Sequence, residues 1–217
     1  MLNSLFPDID WSSIKVVGFD MDGTLYDESE FIRQVYRPIS ELIAFRIDAD
    51  PSEVFGEMIT IWSKRGSSYQ SVFSDVIGKK ITSENKSLLI VECLDIYRGF
   101  IPHLKLSEIT VELLQYCKSR YTMFLVSDGG PALQRNKFNS LALDKWFNLN
   151  LVGFTGMYPN IRPKPTGDIL SYIDIDFTNT PAESVIYIGD RDVDLQFAKS
   201  NSFQFLRLKQ PLLPLLQ

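Results

Sequence analysis

The chain has 217 residues, 45% of them hydrophobic and 12% aromatic, which is enough apolar material for a sizeable buried core. This length fits either one large domain or a domain that carries a smaller insert. The formal net charge is −5 and no basic block stands out, which argues against nucleic acid as a ligand. The two cysteines, Cys93 and Cys117, are far apart and lack metal-site spacing, so we expect buried free thiols rather than a disulfide or a zinc site.

The sequence contains no feature typical of a secreted or membrane protein. Residues 1–10 lack a basic region followed by an apolar stretch, so they do not resemble a signal peptide. No uncharged apolar run reaches the ~18 residues that a membrane-spanning helix requires. We therefore expect a soluble, cytoplasmic protein without a membrane partner, and the sequence does not distinguish a monomer from a homodimer.

The chain begins with one predicted strand and continues into a long helical stretch. The strand, residues 14–19, is a short apolar run bounded by turn residues. In residues 29–98, apolar side chains recur at helical spacing, as at Phe31, Val35 and Ile39, and turn formers break the pattern into four runs. We predict that this stretch is an insert of four helices without a strand.

From residue 99 onward, predicted helices and strands alternate along the chain. We predict helices at residues 107–117, from Pro131, at 166–173 and at 195–200, and strands at 121–126, 148–152, 184–188 and 203–208. This alternation predicts a parallel sheet covered by helices. The proline- and leucine-rich tail, residues 211–217, is expected to be a loose or docked terminus.

Polar clusters follow three of the predicted strands, and a lone cation adds a fourth. The clusters are Asp20 with Asp22, Ser127-Asp128-Gly129, the acidic run Asp190, Asp192 and Asp194, and Lys164 between two prolines. Because the carboxyl ends of parallel strands meet at one edge of a sheet, we expect these side chains to converge there.

The converging residue types suit phosphoryl transfer. Carboxylates from separate strands form a hard oxygen site of the kind that binds Mg²⁺. One carboxylate can attack phosphorus, and a second acid two residues later can protonate the leaving oxygen and then activate water. A serine hydroxyl, the backbone amides of Gly129 and Gly130, and a lysine can hold phosphoryl oxygens.

Four segments resemble, in order, the four motifs of the haloacid dehalogenase superfamily. They are Asp20-Met21-Asp22-Gly23-Thr24-Leu25, Ser127-Asp128-Gly129, Lys164-Pro165 and Gly189-Asp190-Arg191-Asp192-Val193-Asp194. The resemblance extends over about residues 14–208 and implies a Rossmann-like, doubly wound parallel sheet as the core domain, residues 1–28 and 99–217. The insert at residues 29–98 resembles that family's mainly α-helical cap domain.

The resemblance also implies a role for each acidic residue of the site. Asp20 is implied to be the nucleophile and a Mg²⁺ ligand, and Asp22 the general acid and base whose backbone carbonyl also binds the metal. Asp190 is implied to be a metal ligand, directly or through water. Asp194 is implied to be a second acidic position of the metal site.

The remaining implied roles concern the phosphoryl group. Ser127 and Gly129 would bind phosphoryl oxygens, and Lys164 would hold both Asp20 and the phosphate. Thr24 would brace the first loop close to the substrate.

Two positions depart from the pattern of the family. Asp128 stands where asparagine is frequent, which adds a negative charge near an anionic substrate unless its side chain points away. Arg191 stands where a small polar residue is common, and it could pair with a neighbouring carboxylate or reach the substrate. We expect the pairing for Arg191, and an exposed or structural position for Asp192.

The predicted function is Mg²⁺-dependent hydrolysis of a small phosphomonoester, a phosphorylated metabolite, through an aspartyl-phosphate. A phosphomutase would use the same residues. Haloacid dehalogenation fits less well because it needs neither the metal nor the second acid. The alternative that is not an enzyme is a binding or regulatory member of the family without catalytic activity.

Overall fold

The structure is a computed structural model that describes residues 6–7, 9–78 and 80–210. Residues 211–217, expected to be a loose or docked tail, and residues 1–5, part of the stretch that does not resemble a signal peptide, lie outside the described residues. The chain divides into two compact units. One consists of the residues up to Glu28 together with those from Leu104 onward, and the other is Ser29–His103.

The first unit is built on a sheet of five parallel strands in the order β3-β2-β1-β4-β5. The strands are β1 (Val16–Phe19), β2 (Thr122–Ser127), β3 (Val152–Phe154), β4 (Val185–Gly189) and β5 (Gln204–Arg207). This confirms the predicted parallel α/β fold of the Rossmann-like, doubly wound type. The direction of strand addition reverses between β1 and β4, and open sheets of this kind bind ligands at such a reversal.

Seven α-helices form from the described residues. They are α1 (Glu28–Ile47), α2 (Pro51–Arg65), α3 (Val72–Ile77), α4 (Ser83–Gly99), α5 (Glu108–Lys118), α6 (Pro131–Ser140) and α7 (Asp192–Ser200). None of the helices among these residues is long and apolar enough to cross a membrane.

Two predicted elements differ from the structure. Residues 149–151 form a 3₁₀ turn, and the strand expected at 148–152 begins only at Val152, because the apolar Leu149 is exposed rather than paired in the sheet. The helix expected at 166–173 is a 3₁₀ segment, Asp168–Tyr172. Short segments of this length gain little from an α-helical ladder, and Ile169 of this segment is buried against Gly153 of β3.

The helical unit Ser29–His103 has its own core. The residues described in it, 29–78 and 80–103, form four helices and no strand. Phe31 on α1 packs edge-to-face against Tyr97 on α4, and Tyr36 packs in the same way against Phe73 on α3. Cys93 lies in this core and Cys117 in that of the other unit; both are buried and free, and burial raises the pKa of each thiol to about 12.

The central strand β1 is buried on both faces, and Gly18 is the point of closest approach. A Cβ at Gly18 would lie 2.3 Å from Cζ of Phe124 and 2.7 Å from Cδ2 of Tyr187. Neither ring can retreat easily, because both are fully buried in the core of this unit.

We expect Gly18→Ala to lower the free energy of unfolding by about 1–3 kcal/mol, because the added methyl overpacks the core. Gly56→Ala is the matched control: Gly56 lies in α2, and a Cβ there would meet no atom within 4 Å. Alanine should stabilise that helix by about 0.5–1 kcal/mol. Urea denaturation measures both effects, and a Gly18→Ala protein as stable as wild type would contradict the packing described for β1.

Candidate active site

Asp20 stands at the carboxyl end of β1, in the middle of the sheet. Phe19, the last residue of β1, lies opposite Leu125 of β2 and Ile188 of β4. The backbone N–H of Asp20 donates to the carbonyl of Ile188 at 2.8 Å, and only 1% of the residue is exposed. The strand pairing therefore fixes the Asp20 backbone at the edge where the ends of β2 and β4 also lie.

A tight turn after Asp20 brings the first and last acidic clusters together. Gly23 has a φ of +78°, a conformation that side-chain-bearing residues rarely adopt, and a Cβ there would lie 2.7 Å from Oδ2 of Asp190. Glycine at this position therefore allows the Asp190 carboxylate, which follows β4, to approach the first turn closely.

Lys164 connects the clusters through its ammonium group. Its Nζ lies 2.6 Å from Oδ1 of Asp20, 2.6 Å from Oδ1 of Asp194 and 3.3 Å from the hydroxyl of Tyr187. Burial by itself would lower the pKa of Lys164, but the carboxylate of Asp20, with further contributions from Tyr187 and Asp194, holds this pKa well above its ordinary value. Lys164 is therefore a fixed, buried cation beside Asp20.

Three carboxylates lie around the Lys164 ammonium, and together they carry more negative charge than Lys164 and Arg191 carry positive charge. Asp20, Asp190 and Asp194 each offer an oxygen, and these oxygens all lie within 4.8 Å of one another. Oδ2 of Asp20 and Oδ1 of Asp190 are buried and find no hydrogen-bond partner among the described residues. Burial, supported by the charge of Asp194, raises the pKa of Asp20 to about 8 and also raises that of Asp190.

A divalent cation fits this arrangement. Hard oxygen donors with unpartnered, buried lone pairs are the ligands that Mg²⁺ takes, and a cation there would offset the cost of burying the carboxylates. Asp194 contributes less directly, because Oδ1 already accepts from Lys164 and Oδ2 accepts from the backbone N–H of Arg191 at 3.0 Å. Asp20 and Asp190 are the residues whose free oxygens could hold the metal.

Asp22, two residues after Asp20, lies in a different electrostatic environment. Its Oδ1 accepts from Nζ of Lys137 at 2.8 Å and from the hydroxyl of Tyr26, and its Oδ2 accepts from Nε2 of Gln134 at 2.8 Å. Burial opposes ionisation of Asp22, but the charge of Lys137 and these hydrogen bonds together hold its pKa below the usual range. The two aspartates of one turn thus have pKa values shifted in opposite directions.

The phosphate-binding positions predicted from the sequence, apart from Lys164, lie in two settings. The hydroxyl of Ser127, at the end of β2, lies 2.8 Å from Nε2 of Gln134 and is buried. Gly129 lies beside the same Gln134 side chain. Thr24 is buried in the first turn, and its hydroxyl has no hydrogen-bond partner among the described residues.

The two departures from the family pattern have structural explanations. Oδ1 of Asp128 accepts from the hydroxyl of Thr155 at 2.9 Å and from the backbone N–H of Lys164 at 3.1 Å, so this carboxylate fixes the loop that carries the lysine. The guanidinium of Arg191 forms a long ion pair with Asp190, 3.9 Å from Nε to Oδ1, rather than a hydrogen bond.

Asp192 is exposed and pairs with Arg207 at 2.6 Å, away from the three-carboxylate cluster. Its position agrees with the expected exposed or structural role.

Sequence reasoning missed four residues that contact the site, namely Tyr26, Gln134, Lys137 and Tyr187. Gln134 and Lys137 lie one turn apart on α6, where the surrounding residues are mostly polar and the sequence suggests a solvated face. Tyr187 falls within the predicted apolar strand at 184–188, where nothing in the pattern distinguishes it from a core residue. The signal in the sequence was the spacing of Gln134 and Lys137 in the helix that follows the Ser127 motif. Residues three apart lie on the same face of a helix, so both side chains could point to the end of the strand.

Comparison with known families places these residues in context. The sequence model of the haloacid dehalogenase-like hydrolases matches residues 14–201, which include all four motif segments. The chain belongs to this family. It is therefore a hydrolase of the haloacid dehalogenase-like type, as the resemblance implied.

Relatives within this hydrolase family cover most of the chain. A glyceraldehyde 3-phosphate phosphatase of Methanocaldococcus jannaschii is 24% identical over 199 residues, which are 86% of this chain and 81% of the relative. Among solved structures, a subfamily IA hydrolase of Geobacter sulfurreducens aligns with a TM-score of 0.67 at 18% identity, covering 90% of this chain and 87% of that one. A magnesium-bound family hydrolase of Bacillus subtilis aligns with a TM-score of 0.64 at 14% identity, covering 93% and 89%. The structural likenesses establish a shared haloacid dehalogenase fold.

Proposed function

We propose that this hydrolase is a Mg²⁺-dependent phosphatase that cleaves a small phosphomonoester through an aspartyl-phosphate on Asp20. The observation that carries the proposal is the contrast between its two neighbouring aspartates. Asp20 has a buried, unpartnered oxygen beside Lys164 and two further carboxylates, whereas Asp22 is held by Lys137, Gln134 and Tyr26. A nucleophile needs an oxygen that no other group occupies, which Asp20 offers, and a proton carrier needs a fixed orientation, which the partners of Asp22 provide.

In the first half of the proposed reaction, a carboxylate oxygen of Asp20 attacks phosphorus while the bond from phosphorus to the leaving oxygen breaks. Lys164 orients the Asp20 carboxylate through the 2.6 Å contact at Oδ1. Ser127 and the backbone amide of Gly129 hold phosphoryl oxygens. Asp22 gives a proton to the leaving oxygen; an approaching dianionic phosphate favours its protonated form.

In the second half, water attacks the phosphorus of the aspartyl-phosphate and Asp22 takes the proton of that water. This restores the free Asp20 carboxylate and releases inorganic phosphate. Asp20, Asp190 and the backbone carbonyl of Asp22, with a less direct contribution from Asp194, would hold Mg²⁺, which would supply positive charge for the phosphoryl oxygens. The ion pair between Asp194 and Lys164 holds the lysine beside Asp20.

The relatives favour this reading over haloacid dehalogenation. The M. jannaschii relative is a glyceraldehyde 3-phosphate phosphatase, and the B. subtilis neighbour is bound to magnesium. We further propose that the helical unit, predicted as residues 29–98, is the cap domain that selects the leaving group. The substrate would be a small phosphorylated metabolite.

The first test is hydrolysis of p-nitrophenyl phosphate and a panel of small phosphomonoesters. We expect release of phosphate with Mg²⁺, loss of activity in excess EDTA, and recovery when Mg²⁺ is added back. Mg²⁺ should also raise the melting temperature, because it binds only the folded carboxylate cluster. Asp190→Asn should reduce this thermal shift, and Asp192→Asn, which alters an exposed acid two residues away, should preserve it.

Hydrolysis that continues unchanged in EDTA would refute the metal dependence. Release of chloride from haloacids without release of phosphate from any ester would refute the phosphatase proposal as a whole.

A further inference from the structure

We propose that Gln134 and Lys137 of α6 are positioning residues that fix the carboxylate of Asp22 so that one defined oxygen, Oδ2, exchanges the proton. This inference rests on the proposed function, because it concerns the proton transfers assigned there to Asp22. It is carried by the hydrogen bonds around that carboxylate and by the burial of the two α6 side chains.

Lys137 is a buried cation directed at Asp22. The lysine is 3% exposed, and its Nζ lies 2.8 Å from Oδ1 of Asp22. Lysine is seldom buried to this extent, since removing its charge from water is costly unless a partner compensates. The second donor to the same oxygen is the hydroxyl of Tyr26, so Oδ1 accepts two hydrogen bonds.

Gln134 binds the other oxygen of Asp22 and ties it to the end of β2. Its Nε2 lies 2.8 Å from Oδ2 of Asp22, 2.8 Å from the hydroxyl of Ser127 and 2.5 Å from the backbone carbonyl of Asp128. Two of these partners are pure acceptors, so the amide must present nitrogen to them rather than oxygen. The same amide nitrogen therefore lies within hydrogen-bond distance of the proton carrier and of the proposed phosphate-binding serine.

A carboxylate has about four lone-pair positions, two on each oxygen. Among the described residues, Lys137 and Tyr26 occupy both positions of Oδ1, and Gln134 occupies one of Oδ2. Because each oxygen is held by a different residue, the carboxylate cannot rotate about its bond to Cβ without breaking contacts. The remaining position on Oδ2 is the one at which a proton can be exchanged.

This arrangement predicts an effect that depends on the leaving group. An alkoxide needs a proton in order to leave, whereas p-nitrophenolate leaves without one. Benzyl phosphate and p-nitrophenyl phosphate are similar in size and differ in this property. In Lys137→Met and in Gln134→Met, we expect kcat/KM for benzyl phosphate to fall about 100-fold, and that for p-nitrophenyl phosphate to fall less than about fivefold.

Arg135→Met is the matched control, because Arg135 is an exposed cation on the same helix. It should leave both kcat/KM values at the wild-type level. The activity toward p-nitrophenyl phosphate, together with circular dichroism, reports whether each variant is folded, and Gln134→Met tests the positioning without removing a charge.

Each outcome decides between positioning and a purely structural role. Equal losses with both substrates, or a gain with benzyl phosphate, would overturn the inference and leave the proposed function standing. A wild-type enzyme that cleaves p-nitrophenyl phosphate but no alkyl phosphate would overturn it too, because Asp22 would then not be protonating a leaving alkoxide. If the wild type releases phosphate from no ester of the panel, the proposed function and this inference both fail.

Discussion

Asp20→Asn is expected to lower kcat by about 10⁴-fold or more, because an amide cannot form the aspartyl-phosphate. The side chain keeps its size, so the variant should remain folded. Phosphate release from p-nitrophenyl phosphate at saturating Mg²⁺ measures the loss. The control is Asp192→Asn, an identical change at an exposed acid that pairs with Arg207, and it should retain wild-type turnover.

The same substitution should affect stability in a direction set by the charge of the site. The folded state raises the pKa of Asp20 from 3.8 to about 8, so it favours the protonated form. In the absence of divalent cations, the wild type therefore loses this contribution to stability as the pH rises through that interval. Asp20→Asn carries no such charge, so its melting temperature without metal should equal or exceed that of the wild type at pH 8.

Two results would contradict this account of Asp20. Mg²⁺-dependent turnover that survives in Asp20→Asn would exclude this residue as the nucleophile. A variant that unfolds at pH 8 without metal would show that the Asp20 carboxylate stabilises the fold instead of opposing it.

The sheet could be predicted because its strands have simple local signatures. β1, β2 and β4 are short apolar runs that end abruptly in polar residues, and buried parallel strands require that pattern. β3 is weaker: it has only three residues, at the edge of the sheet, and the apolar residues before it form a 3₁₀ turn. Local sequence could not place its start, since the register depends on pairing with β2.

The site was only partly predictable, for a related reason. Four site residues belong to recognisable sequence motifs, and the structure brings their side chains together: Asp20, Lys164, Asp190 and Asp194. Their chemical roles stay predictions. The partners of Asp22 were not anticipated, because Gln134 and Lys137 are 112 and 115 residues away from it in sequence and their burial arises only from tertiary packing.

Lys164→Met is expected to reduce both stability and activity. The ammonium is fully buried between Asp20 and Asp194, and removing one partner of such an ion pair costs about 3–5 kcal/mol, because the remaining charges stay buried without compensation. Loss of the group that orients the nucleophile should also lower kcat about 10²- to 10³-fold. Urea denaturation and phosphate release measure the two effects, and Lys199→Met, at an exposed lysine on α7, is the control.

A double variant separates the two roles of Lys164. Adding Asp194→Asn to Lys164→Met removes one of the two carboxylates that the lysine compensates, so part of the lost stability should return. Activity should stay low, because Asp20 still lacks the ammonium that orients it. Mg²⁺ should raise the melting temperature of Lys164→Met more than that of the wild type, since the cation would then compensate carboxylates that have lost the ammonium of Lys164. If Lys164→Met were as stable as the wild type without metal, the buried ammonium would not be what holds these carboxylates together.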